Sequence, residues 1–253
     1  MTQWPRLIVM CAISAILTAP ALAITGSRSA PSESVARAVV TITGSRGNVC
    51  SGSLIAANIV LTAAHCISPG TSYRVIDNTT TPPRLLTAQS VLTHPQYNAQ
   101  AMAAHRATAD VALLRLPSAV PAKAPAPLGA PRLPVTLGAH FTVAGVGVTS
   151  STGDDVGTVR AAALAVTGQP GMLQIRLVDP LTQNKRAGMG GCTGDSGAPA
   201  FEDQDGRSVI VGVVSWSTGA NNSDGCGGLT GITPLTLYKD WIVQTARSWG
   251  AAI

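Results

Sequence analysis

A chain of 253 residues has room for one large domain or two small ones packed as a unit. Only 11% of it is charged, against about 25% in average soluble proteins, and the net charge of +5 is scattered, with Lys185-Arg186 the sole adjacent basic pair. That excludes the clustered basic face with interleaved aromatics of a nucleic-acid binder, while 26 glycines and 17 prolines disfavour long helices and suit short strands joined by turns.

Residues 1–23 read as a secretory signal. Arg6 gives a basic start, 7–17 is an apolar run, and Ala21-Leu22-Ala23 is a small-x-small cleavage site. The run is too short for a bilayer, which takes about 20 residues, and no later segment is apolar enough to insert. Of the five cysteines, Cys11 would leave with the signal. The even remainder, Cys50, Cys66, Cys192 and Cys226, points to disulfides in an exported chain, with three pairings open, and the lack of any CxxC pair argues against zinc.

After the signal, segments 38–43, 59–62, 85–92 and 111–116 read as strands. A Pro/Ala-rich stretch of almost no charge, 117–134, then divides the chain. Segments 140–148, 160–166, 173–178 and 209–216 are further strands. The one convincing helix is 235–249, where Leu235, Trp241, Ile242, Thr245 and Trp249 recur at helical spacing.

Three separated segments carry chemistry: Thr62-Ala63-Ala64-His65-Cys66, Asp110 ahead of Val-Ala-Leu-Leu, and Gly194-Asp195-Ser196-Gly197. A serine hydroxyl becomes a useful nucleophile when an imidazole takes its proton and a buried carboxylate orients that imidazole. With these motifs in the order His, Asp, Ser, and with His94-Pro95-Gln96-Tyr97-Asn98 and Ser215-Trp216 as smaller echoes, the chain resembles the chymotrypsin–trypsin family of secreted serine endopeptidases, of a bacterial type. The resemblance implies an all-β fold of two six-stranded antiparallel β-barrels with a C-terminal α-helix. The expected organisation is signal 1–23, first barrel 24–125 and second barrel 126–253, with the active site in the cleft between the barrels.

Role by role, the resemblance makes Ser196 the nucleophile, His65 the general base and acid, and Asp110 the group that orients His65. The N–H groups of Gly194 and Ser196 become the oxyanion hole. Ser215, Trp216 and Ser217 would bind an extended substrate, with Ser215 supporting Asp110. It implies the disulfides Cys50–Cys66 and Cys192–Cys226. It also implies activation by a new N-terminus: Ile24, exposed when the signal is removed, would pair with Asp195, and the uncut precursor would be silent. The base of the primary pocket falls at Gly190, which has no carboxylate for Arg or Lys, and Ser217 would narrow the mouth. Asp224 is expected in an exposed polar loop.

His94, His105 and His140 read as ordinary structural or surface histidines. Segment 68–84 has no glutamate, so no calcium is expected, nor any other metal or cofactor. The expected partners are a peptide or protein substrate and a proteinaceous inhibitor, without nucleic acid or membrane once the signal is gone, and the protein would be a monomer, secreted or periplasmic. Two rivals remain: a catalytically silent, protease-like binding protein, and an esterase using the same triad. The Gly-x-Ser-x-Gly elbow of α/β-hydrolases is absent, since position 198 is Ala.

Overall fold

A computed structural model describes residues 24–26, 30–78 and 80–253. The expected signal and its cleavage site lie outside the described residues, as does Ser27. Among the described residues no helix is long and apolar enough to cross a membrane.

A short helix α1 (Glu33–Ala38), capped by the Ser32 hydroxyl on the Val35 N–H, leads into the first sheet. Its strands are β1 (Val39–Gly44), β2 (Val49–Ala56), β3 (Ile59–Thr62), β4 (Tyr73–Asp77), β5 (Arg84–Thr87), β6 (Ser90–Thr93) and, after helix α2 (Ala99–Ala103), β7 (Ala112–Arg115). They lie in the order β5-β4-β1-β2-β3-β7-β6, so the sheet has seven strands where six were expected. The extra strand has a physical origin: the two edge strands are consecutive in the chain, separated only by residues 88–89. Ala88 donates its N–H back to Tyr73 at the start of β4, whereas Gln89 donates to Arg115 on β7. β5 and β6 are thus two arms of one bent strand, and the sheet curls until its edges meet in that bend.

The second half comprises β8 (His140–Gly145), β9 (Arg160–Gly168), β10 (Ile175–Val178), β11 (Pro199–Gln204), β12 (Arg207–Ser217) and β13 (Thr230–Pro234). These six close into a barrel in the order β10-β13-β12-β11-β8-β9. Closure leaves no strand edge open for aggregation. Its interior holds Phe141, Val143, Leu164, Val166, Ile175, Val211 and Ile232. Ile24, far from these in sequence, is buried with them. A fully buried side chain of this size contributes about 1.5–3 kcal/mol.

The expected helix is shorter than its pattern: a 3-10 turn over Leu235–Leu237 precedes α3 (Lys239–Ser248). α3 reaches back to the first sheet: Tyr238, Ile242 and Ala246 join a core that holds Leu54, Ile59 and Leu113 of that sheet along with Phe201, Ile210 and Val213 of the barrel. His94 fastens this contact. Its ring meets Tyr238 and Trp241 edge-on at 5.0 Å and 4.8 Å, and its Nδ1 accepts the Gln96 N–H at 3.2 Å.

Burial lowers the pKa of His94 below its ordinary 6.5. The unfolded chain therefore takes up the proton first as pH falls, so stability is full above about 6.5 and declines as pH drops towards the folded value. The difference in unfolding free energy between the protein and His94→Phe, measured from pH 8 to 5, should show this decline as the His94 contribution alone.

Candidate active site

The register of the first sheet explains how His65 and Asp110 meet. β3 pairs with β7 so that Thr62 lies opposite Ala112. The chain leaving β3 turns at once through the 3-10 segment Ala64–Cys66, and Asp110 lies just ahead of β7. Both residues therefore hang from the same end of neighbouring strands. The disulfide Cys50–Cys66 ties the turn back to β2.

Asp110 is buried, its side chain 1% exposed, and that of His65 is 22% exposed. Oδ1 of Asp110 accepts the His65 backbone N–H at 2.8 Å, and Oδ2 meets His65 Nδ1 at 2.7 Å. The Ser215 hydroxyl donates to the same Oδ2 at 2.5 Å. An ionised carboxylate only accepts hydrogen bonds, so the ring proton is held at Nδ1 and Nε2 is left with its lone pair. The field of this buried anion reaches the phenols of Tyr97 and Tyr238, whose pKa values are raised by burial first and by Asp110 second.

Ser196 comes from the second half, in the tight segment between Cys192 and β11. It is half-buried, between the buried residues Asp195 and Gly197. The Asp195 N–H donates to Cys192 and the Gly197 N–H to Val214, whereas among the described residues the N–H groups of Gly194 and Ser196 donate to none. Gly194 has φ of +93°, a conformation that favours glycine, and a Cβ there would press on the Gly147 Cα at 3.0 Å.

This loop is fixed by Ser51, a fully buried residue of β2 that the sequence did not single out. Its N–H donates to the Ser196 carbonyl at 2.8 Å, and its hydroxyl donates to the Gly194 carbonyl at 2.8 Å. The hydroxyl also accepts the Val146 N–H at 3.0 Å, and its carbonyl accepts the Thr62 hydroxyl at 2.8 Å. Gly197 lies so close to Thr62 and Ser51 that a side chain there would overlap both.

Asp195 turns away from Ser196 into the barrel end and is fully buried. Oδ1 accepts the Gly147 N–H and Oδ2 the Cys192 N–H, each at 2.9 Å. Burial pushes its pKa up to about 7, against the pull of those two N–H groups and of the Arg160 charge. Ile24 is buried in the adjoining apolar core with Ala198, whose N–H bonds to the Asp195 carbonyl at 2.9 Å.

The expected pocket residues gather around bare backbone. Thr25 bridges Gly190, whose N–H donates to the Thr25 carbonyl at 3.2 Å. Ser217 lies opposite Thr230 in the β12–β13 register, and the Thr230 hydroxyl accepts the Gly191 N–H at 2.8 Å. A Cβ at Gly191 would be 3.2 Å from Ser217 Cβ and 3.5 Å from the Thr230 methyl, so these two side chains converge on Gly191. Cys192 and Cys226 are bonded beside it. The Trp216 indole lies flush against Gly231, where any side chain would collide with it. Beyond lies a cleft of about 720 Å³ walled by Met102, Arg106, Arg176 and residues 215–218. Asp224 is exposed on the wall of that cleft, as is His105. Among the described residues no group of three or more His, Cys, Asp or Glu side chains converges as a metal site.

A family model described as Trypsin matches residues 24–242. Serine protease 56 of Mus musculus is 30% identical over 222 residues, covering 78% of this chain and 34% of that protein, so the chain spans about a third of that relative's length. Chymotrypsin-like elastase family member 1 of Homo sapiens is 29% identical over 225 residues, covering 81% of this chain and 84% of the relative. Among solved structures, human heparin binding protein superposes with a TM-score of 0.68 at 25% identity, covering 91% of this chain and 100% of that one. These relatives are animal proteins, so the expected bacterial type is not borne out.

Ser51→Ala should leave the Gly194 carbonyl and the Val146 N–H without their shared partner. Unpaired buried groups cost about 1–3 kcal/mol each, and the variant should unfold at correspondingly lower urea. Any hydrolytic activity should fall mainly in kcat, with KM little changed.

Proposed function

The chain belongs to the trypsin family of serine proteases, and on that premise we propose that it is a secreted endopeptidase that cleaves peptide bonds after small apolar residues through an acyl-enzyme on Ser196. The observation that carries this reading is the Asp110 carboxylate, with His65 Nδ1 at 2.7 Å and Ser215 behind it. That arrangement leaves His65 Nε2 free to take a proton from the nucleophile. Ser196 attacks the scissile carbonyl as His65 accepts its proton. Asp110 stabilises the imidazolium, and His65 then protonates the leaving amine. Water repeats the sequence in reverse to release the acid. The unengaged N–H groups of Gly194 and Ser196 meet the developing oxyanion, each such donor being worth about 2.7–4 kcal/mol.

Ser217 and Thr230 support small side chains at the cleavage position, and Gly190 itself brings no carboxylate to attract Arg or Lys. A strand of substrate would lie along Ser215, Trp216 and Ser217 and extend its upstream residues into the 720 Å³ cleft.

Activation through Ile24 fits the same geometry. Ile24 has φ of +50°, a strained torsion for a β-branched residue inside a continuous chain. Cutting the bond after Ala23 abolishes that torsion and frees an ammonium beside the core that adjoins Asp195. The ion pair would favour the Asp195 carboxylate that burial disfavours.

The likeness to human heparin binding protein keeps a purely binding role as the rival. Purified protein beginning at Ile24 should react with a fluorophosphonate probe, and Ser196→Ala should not. The same substitution should lower kcat on peptides by about 10⁶. In a panel varying the residue at the cleavage position, Ala and Val should exceed Phe and Arg in kcat/KM by roughly tenfold, the scale of a few methylenes' steric mismatch. Failure to label would favour the binding role, and preference for Arg would overturn the pocket assignment.

A further inference from the structure

Arg160 takes no part in the chemistry above, yet only 8% of its side chain is exposed. It opens β9, where Ala162, Leu164 and Val166 face the closed barrel's core, and strand alternation puts Arg160 on that same inner side. The β8–β9 register sets it opposite Gly145. Gly145 in turn lies so close to the Asp195 carboxylate that a Cβ on it would overlap Oδ1. Nη2 donates to Asp155 Oδ2 at 3.2 Å, and the other oxygen of Asp155 accepts the Thr149 N–H at 3.0 Å. Nη1 is buried and donates to no acceptor among the described residues.

A buried guanidinium N–H without an acceptor is costly, and so is a fully buried carboxylate. Here they share one barrel end. Arg160 is among the charges felt by Asp195, which it pulls towards the ionised form. Asp195 has its two oxygens on Gly147 and Cys192, the strands of chain that flank the Gly194–Ser196 loop.

We propose that Arg160 is a positioning residue, a permanent internal counter-charge to Asp195 that holds the Gly194–Ser196 loop in working shape whether or not a free N-terminus is present. This rests on the reading of Ser196 and Ile24 given above and revises one consequence of it: the uncut chain is weakened, not silent. The two cations differ in chemistry. A free α-amino group titrates near 7.7–8.0, whereas a guanidinium stays charged beyond about pH 12. In the uncut chain the charge felt by Asp195 is that of Arg160 of β9, whose guanidinium Asp155 of the 148–157 loop shares, and the Ile24 amine would join it once freed.

The test compares the protein beginning at Ile24 with a form carrying two extra residues ahead of Ile24, each with Arg160, Arg160→Gln or Arg160→Lys. Rates of fluorophosphonate labelling and kcat/KM are followed from pH 6 to 10. The extended form with Arg160 should keep roughly a tenth of the activity, and Arg160→Gln should remove at least a further tenfold, with Arg160→Lys restoring most of it. In the form beginning at Ile24, Arg160→Gln should leave activity near pH 7 almost intact but move its alkaline loss to lower pH. An equal loss in both forms with an unmoved pH profile would mark Arg160 as merely structural and overturn the proposal.

A second measurement does not depend on catalysis. Asp195 is easier to protonate in the folded chain than in the unfolded one, so its contribution to stability falls as pH rises from about 4 towards 7. Removing its counter-charge should steepen that fall in the extended form. Parallel stability curves for Arg160 and Arg160→Gln would overturn the proposal even if no protein form hydrolysed peptides, whereas total inactivity with diverging curves would sink the endopeptidase reading and leave the counter-charge standing.

Discussion

The proposed nucleophile and its proposed base grow from different halves of the chain, so everything else depends on how firmly those halves meet. Ser51 makes the junction. Within one residue it gives an N–H to Ser196, a hydroxyl hydrogen to Gly194, a lone pair to Val146 and a carbonyl to Thr62. Thr62 ends β3, three residues before His65, so a strand end of the first sheet and the Ser196 loop of the second half are fixed to one another in a single step. The bonds are shielded from water, since both Ser51 and Thr62 are fully buried, and an interior of low polarity strengthens them. Glycine at 197 matters for the same reason: a side chain there would push the halves apart.

Two buried carboxylates divide the electrostatic work. Asp110 receives a backbone N–H, a ring N–H and a hydroxyl, all aimed at fixing one imidazole. Asp195 receives two backbone N–H groups from opposite sides of the loop and lies near Arg160. The first carboxylate sets a tautomer, the second a backbone shape.

The motifs around positions 65, 110 and 196 were legible because they combine chemically distinctive residues with small neighbours in a telling order. The strands that carry plain alternation or β-branched residues, such as β3 and β12, were legible too. β2 was missed because its Val-Cys-Ser-Gly-Ser-Leu-Ile-Ala sequence is small, mixed and buried along almost its whole length, so no alternation marks it. β13, buried along its whole Thr-Gly-Ile-Thr-Pro length, lacks a signal for the same reason, whereas β4 is a short alternating segment and β11 runs out into Glu-Asp-Gln. Ser51 was invisible because a serine beside a glycine reads as a turn until its partners, nearly a hundred residues or more away, are known. Arg160 likewise reads as an ordinary basic residue at a strand start. The two-residue bend between β5 and β6 has no sequence signature that separates it from a continuous strand.

The wall of the proposed primary pocket would be built from Gly188, Gly190 and Gly191, with almost no side chains to stiffen it. Thr25 leans on its outer side through Gly190, Gly227 accepts the Gly188 N–H, and the buried Asp179 accepts the N–H of Met189 between them. A surface of bare backbone has no shape of its own and takes the shape of whatever braces it. On the proposed reading, the selectivity of such a pocket would be written on its far side, in residues that do not line it. Searches for altered specificity that vary only the pocket lining would overlook the positions with the most leverage.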